Sequence, residues 1–242
     1  MTQPLSSHGT LLQMGDGDGT TGSVTQTGTG LDDMTLDAGT AYTGHLDATW
    51  RVQIDGTGTP DTFKWSKDGG VTWEQEEREI AGAATAMLLD DGIYIEFAAT
   101  TGHTATEYWE FTVEVDLTTV AEVVDLSGPS ISQSTFDAPS QEVTWQKRVA
   151  GIVSAGEMSF DINLIPKNAT HDDSTGLLSL LGQLDDHAFA LLFNDAGTGT
   201  KSQWRFSGYM VTFDHEEPVD GILKASCTIQ INGEPVFVKG TS

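Results

Sequence analysis

The chain has 242 residues with 36 acidic and 11 basic side chains, a net charge of −25, which excludes a duplex-DNA binder whose affinity would come from Lys and Arg displacing counterions. Hydrophobic residues at 38% are too many for a disordered acidic tail, and the apolar runs are too short to span a bilayer, so no membrane insertion is expected. The 27 glycines, crowded with Thr and Asp between short apolar runs, predict a turn-rich β protein.

Taken in order, Asp16–Gly19 (DGDG) reads as a Gly-rich turn. As a calcium loop it fails, because the sixth and twelfth places from Asp16 hold Thr21 and Thr27 instead of Gly and Glu. Alternation predicts strands at Thr49–Ile54, Thr62–Ser66, Val71–Glu74, Ala86–Leu89, Ile93–Ala98 and Tyr108–Val115, with the Asp90–Gly92 turn joining a hairpin. Short strands at this spacing, with no helix, suggest a small β-sandwich. Thr118–Asp125 reads as one strand, and Ser132–Val149 as a long, polar, irregular segment. Glu157–Leu164 is a strand with Met158, Phe160 and Ile162 on one face. Leu177, Leu178, Leu180, Leu181 and Leu184 then form a stripe at helical spacing, and Asp172, Asp173 or Ser174 stands where a helix cap belongs. Ala188–Asn194, Gln203–Asp214 and Leu223–Ile231 complete the set. The predicted class is mainly β, nominally α+β with one packed helix.

The chain carries little sign of chemistry. Six histidines form neither an HExxH string nor a close ligand pair, and no nucleophile elbow, dinucleotide fingerprint or phosphate loop occurs. His171-Asp172-Asp173 suits a helix start better than a metal. The acidic pairs Asp185–Asp186 and Glu216–Glu217 are sequence neighbours, unlike glycosidase carboxylates that face each other across a cleft. Cys227, the single cysteine, excludes an intramolecular disulfide and sits in an alternating strand as a buried structural thiol. No catalytic residue, metal or cofactor is expected. MTQPLSSHGT lacks a basic start and an apolar core, so the expectation is a chain made in the cytoplasm.

The strings LTTVAEVVDLSGPSIS, GIVSAGEMSFDINLIP, THDDSTGLLSLLGQL and WRFSGYMVTFDHEEPVDGILKASCTIQINGEPVF follow one another between Leu117 and Phe237. In that order they resemble the major tail tube protein of long-tailed, non-contractile bacteriophages, and HGTLLQMGDG (His8–Gly17) resembles the start of that family. There the GDG is followed within a few residues by the equivalent of LTTVAEV; here roughly a hundred residues intervene. The resemblance therefore implies a discontinuous tail tube domain, 1–17 and 115–242, with a β-sandwich or barrel fold. Residues 18–114 would be an inserted domain on the tube exterior, because a loop with close ends accepts a folded insertion at small entropic cost.

Family resemblance implies partners as well. Six copies would close a ring and rings would stack into a tube around a tape-measure protein, between tail-tip and tail-terminator proteins, with DNA passing through the lumen without specific binding. The location would be the virion tail. An acidic lumen repels phosphates and lets DNA slide; the same charge also simply keeps a protein soluble. Ser132–Val149 corresponds by position to a family loop that bridges stacked rings, and its Phe136, Pro139, Trp145, Lys147 and Arg148 suit an interface with acidic groups on the next ring.

The intervening segment has its own resemblance. TPDTFKWSKDGGVTW and IYIEFAATTGHTATEYWEFTV look like small, often immunoglobulin-like modules of phage virion proteins. SKDGGVTW fits the Asp-box S-x-D-x-G-x-T-W, a hairpin clasp remote from catalysis. Trp50, Trp73 and Trp109 are its candidate rings for stacking on cell-surface glycans, although alternating strands more often put such rings in the core. A carbohydrate-binding adhesin is thus the rival to a tube subunit, and a glycosidase accessory module a third reading.

Overall fold

The computed structural model describes residues 9–138, 145–195 and 199–241. Strand accounts for 51% and no helix among the described residues reaches seven residues, so the protein is mainly β. In chain order the strands are β1 (Leu11–Thr21), β2 (Thr25–Thr27), β3 (Met34–Leu36), β4 (Ala48–Gly56), β5 (Thr62–Ser66), β6 (Gln75–Glu79), β7 (Met87–Leu88) and β8 (Tyr94–Phe97). There follow β9 (Tyr108–Thr119), β10 (Val123–Ser127), β11 (Ser132–Asp137), β12 (Arg148–Ser154), β13 (Glu157–Asn163), β14 (His187–Leu192), β15 (Gln203–Glu216) and β16 (Lys224–Val238). The chain forms two compact units, Met1–Asp16 with Leu117–Ser242, and Gly17–Asp116.

In the first unit antiparallel strands run in the order β10-β13-β16-β15-β14-β1. Alternation puts every second side chain on the buried face. Met158, Phe160 and Ile162 of β13 pair in register with Ile229, Cys227 and Ala225 of β16, and all six are buried. Phe189 and Phe206, paired across β14 and β15, stack at 5.8 Å. Each buried Phe or Ile here contributes about 1.5–3 kcal/mol by leaving water. Cys227 is enclosed, as its strand context predicts, and burial, with Asp161 and Asp214 nearby, pushes its thiol up to about 12.

Leucines 177–184 do not form the predicted α-helix. Only Leu177–Leu180 turns, as a 3-10 helix. Asp172 Oδ1 accepts the N–H groups of Ser174, Thr175 and Gly176, holding the preceding residues in a turn, and Gly182 follows at φ +85°. The remaining stretch is too short for propagation to offset the cost of nucleating an α-helix. A 3-10 turn aligns positions i and i+3, so Leu177 and Leu180 are buried while Leu184 is 99% exposed. The expected Thr118–Asp125 strand is likewise interrupted. Val120 turns into the core, Glu122 takes φ +56°, and β10 starts afresh at Val123.

In the second unit β6-β5-β4-β9 form one antiparallel sheet with β2 also paired to β9, and β3-β8-β7 form a second. The two sheets meet through aromatic rings. Phe97 of β8 lies 5.5 Å from Phe63 of β5 and 5.5 Å from Trp109 of β9. Trp50 stacks between Trp65 at 5.3 Å and Phe111 at 6.1 Å. Asp16–Gly19 belongs to strand β1, not to the Gly-rich turn expected of it. Val71–Glu74 is not a strand either. Asp68 accepts the N–H groups of Val71 and Thr72 and the Thr72 hydroxyl, which holds these residues in the turn and delays β6 to Gln75.

Candidate functional site

Strands β11 and β12 form a two-stranded ribbon of their own. Phe136 pairs with Val149 and Asp137 with Arg148, and a bulge lies between Gln133 and Thr135. The ladder continues through Ala138 N–H to the Lys147 carbonyl at 2.8 Å. Gln133 donates to the Gly151 carbonyl and Ser134 to that of Ile152, both at 3.1 Å. Arg148 Nε donates to Asp137 Oδ1 at 3.3 Å across the end of the ribbon next to the connection between the two strands. That ion pair is exposed and worth at most about 1 kcal/mol.

Of the residues expected at a stacking interface, Phe136, Trp145, Lys147 and Arg148 all lie on this ribbon or at its end. Phe136 is 61% exposed and Trp145 87%. Pro139 lies outside the described residues. Sequence reading missed Val149, Ile152 and Val153, because the segment through Val149 was read as irregular and the apolar run RVAGIVS was not recognised as its returning strand. Ile152 is 83% exposed. A two-stranded hairpin with both faces largely exposed is marginal in water by itself, and apolar groups gathered in this way mark an interaction surface.

Where the ribbon begins, a groove of about 710 Å³ is lined by Ile131, Ile152, Val153, Ala155, Trp204 and Pro235. Trp204 is fixed edge-on against Phe237 at 5.1 Å. Lys147 and Arg148 are two of only 11 cations in the chain, and both stand exposed. The surface thus combines aromatic and branched apolar groups with Lys147, an Arg148–Asp137 ion pair and Glu234 at the groove.

Two of the three expected glycan contacts, Trp50 and Trp109, require correction. Trp50 and Trp109 are fully buried. Trp50 is covered by Trp65 and Phe111, and Trp109 is packed edge-on to Phe97, its indole N–H donating to Asp32 Oδ1 at 3.1 Å. Neither ring offers a face to a sugar. Trp73 is half-buried, and Lys64 Nζ lies 4.1 Å over its ring. The same pairing recurs at Arg51 over Tyr108 at 4.2 Å, so a cation covers one face of each of these rings.

Nothing in the described residues gathers reactive groups around these surfaces. No group of three or more His, Cys, Asp or Glu is arranged to hold a metal among them. His171 Nδ1 accepts the Ile165 N–H at 3.1 Å, so Nε2 carries the proton donated to the Ala121 carbonyl at 2.8 Å, and both ring nitrogens are engaged in joining loops. Among the described residues no helix is long and apolar enough to cross a membrane. No protein-family model matches the chain, and no curated protein matches it.

Proposed function

We propose that this chain is a structural subunit that assembles with copies of itself, as the major tail tube protein of a long, non-contractile phage tail or phage-like particle. Hexameric rings would stack into a hollow tube around a tape-measure protein, between tail-tip and tail-terminator proteins, and DNA would later pass through the lumen. In this reading the unit containing β10–β16 builds the tube wall. The unit 17–116 is an immunoglobulin-like β-sandwich decorating the exterior. No catalysis and no cofactor enter the role.

The observation that supports self-assembly is the β11–β12 ribbon, with Phe136, Trp145 and Ile152 held out in solvent. Burying such side chains between copies removes apolar surface from water. The ribbon's Lys147 would meet opposite charge on almost any other face of a chain carrying −25. Strand β10 ends its sheet with Val124 exposed, and pairing across subunits would cover such an edge.

Sedimentation of the full chain at rising concentration tests the proposal. The wild type should pass from a light species to large assemblies. Trp145→Ala should shift that transition to higher concentration by about tenfold or more, the usual weight of a central aromatic contact. Identical sedimentation of the two proteins, both assembling, would remove the ribbon from the interface. A wild type that stays light even with tape-measure and tail-tip proteins present would remove the tube reading.

A further inference from the structure

In the unit 17–116, a histidine between two carboxylates ties three connections together. His103 has no exposed side-chain surface. Its Nδ1 lies 2.9 Å from Asp61 Oδ2 and its Nε2 2.9 Å from Asp33 Oδ1. Asp33 belongs to the β2–β3 connection, Asp61 to the β4–β5 connection and His103 to the β8–β9 connection. Both carboxylates also hold backbone: Asp61 accepts the N–H groups of Gly58 at 2.6 Å and His103 at 3.1 Å, and Asp33 accepts that of Ala99 at 2.7 Å.

Around the imidazole, the rings of Phe97 and Trp109 pack edge-on at 5.3 and 6.1 Å, from β8 and β9. Two further titratable groups stand at this end. Glu107 is buried and its Oε1 accepts the Thr104 N–H at 2.8 Å, and Asp32 holds the Trp109 indole.

An ionised carboxylate only accepts hydrogen bonds, and a neutral imidazole has one N–H, enough for one of the two. We propose that Asp33, His103 and Asp61 form a protonation-dependent latch, in which a doubly protonated ring pins all three connections and loses its hold when a carboxylate takes up a proton. Towards acid, protonation of a carboxylate removes an acceptor. Burial raises the Asp61 carboxyl, but the N–H donors of Gly58 and His103 outweigh it and hold this group below the ordinary carboxylate value. Its stabilisation is therefore present above the usual carboxylate range and is lost as pH falls through the lowered value. The latch stands independently of the assembly reading.

The test is nitrogen-15 and amide-exchange spectroscopy on the full chain. At neutral pH His103 should show two ring N–H protons in slow exchange with solvent, with protected amides at Gly58 and Ala99. Protection factors there should fall as the pH is lowered through and below the ordinary carboxylate range. In His103→Gln, which keeps a single donor group, protection at Gly58 and Ala99 should drop by about tenfold or more, the equivalent of one charge-assisted hydrogen bond. A single ring proton on wild-type His103 at neutral pH, or protection at Gly58 and Ala99 that stays unchanged as the pH is lowered to about 2, well below the ordinary carboxylate value, would overturn the latch. Should the variant not fold, the wild-type ring signals and pH profile decide alone.

Discussion

The ring of Phe136 lies across Gly151 on the facing strand, where a Cβ would collide with it and with the Ser134 hydroxyl. The absence of a side chain at Gly151 is what lets the phenyl ring lie on the ribbon while remaining largely in solvent. Gly151→Val suits a strand backbone but displaces the ring. The expected outcome is a subunit whose thermal stability changes little while its assembly weakens. Paired calorimetry and sedimentation check this; normal assembly by the variant would separate the Phe136 position from the interface.

The two tryptophan classes should behave oppositely. Trp50→Ala removes a fully buried ring stacked on both faces and should cost about 3–5 kcal/mol in denaturant unfolding. Trp145→Ala removes a ring exposed over most of its surface and should change subunit stability by no more than about 0.5 kcal/mol while impairing assembly. A large stability loss at Trp145 would mean that its exposure is misassigned.

Cys227 supplies a chemical readout of the first unit's core. Only the thiolate reacts, and burial holds this thiol near pH 12 in the folded chain. Because the shift is upward, the unreactive thiol persists at neutral pH and gains reactivity only as pH rises toward that value. Maleimide labelling near pH 7 should be negligible in the folded protein and rapid in denaturant. Fast labelling of folded protein would show that the β13–β16 sheet opens readily.

Strands were legible where one face is buried. β5 runs from Thr62 to Ser66 as its alternation predicts, and β13 ends one residue short of expectation, because Phe63, Trp65, Met158, Phe160 and Ile162 impose period two. The signal failed where side-chain hydrogen bonds or glycine decide the backbone. Asp68 overrides the β-propensity of Val71, and Asp172 with Gly182 cuts short a leucine stripe that reads as helix. It failed again on β11 and β12, whose strands bury no continuous face and so leave no alternation to read. The residues of the candidate surface were half found. Phe136, Trp145, Lys147 and Arg148 came from positional resemblance, whereas Ile152 and the groove beside Trp204 depend on how the ribbon folds back. The Asp33–His103–Asp61 cluster left no trace in sequence, since its members are separated by 28 and 42 positions and meet only through the fold.

The assembly claim is met most directly by electron microscopy of the purified full chain at high concentration, alone and with tape-measure and tail-tip proteins. The account predicts hollow tubes with a regular axial repeat, or discrete rings, in at least one of these mixtures. Single unassembled subunits in every mixture would contradict it.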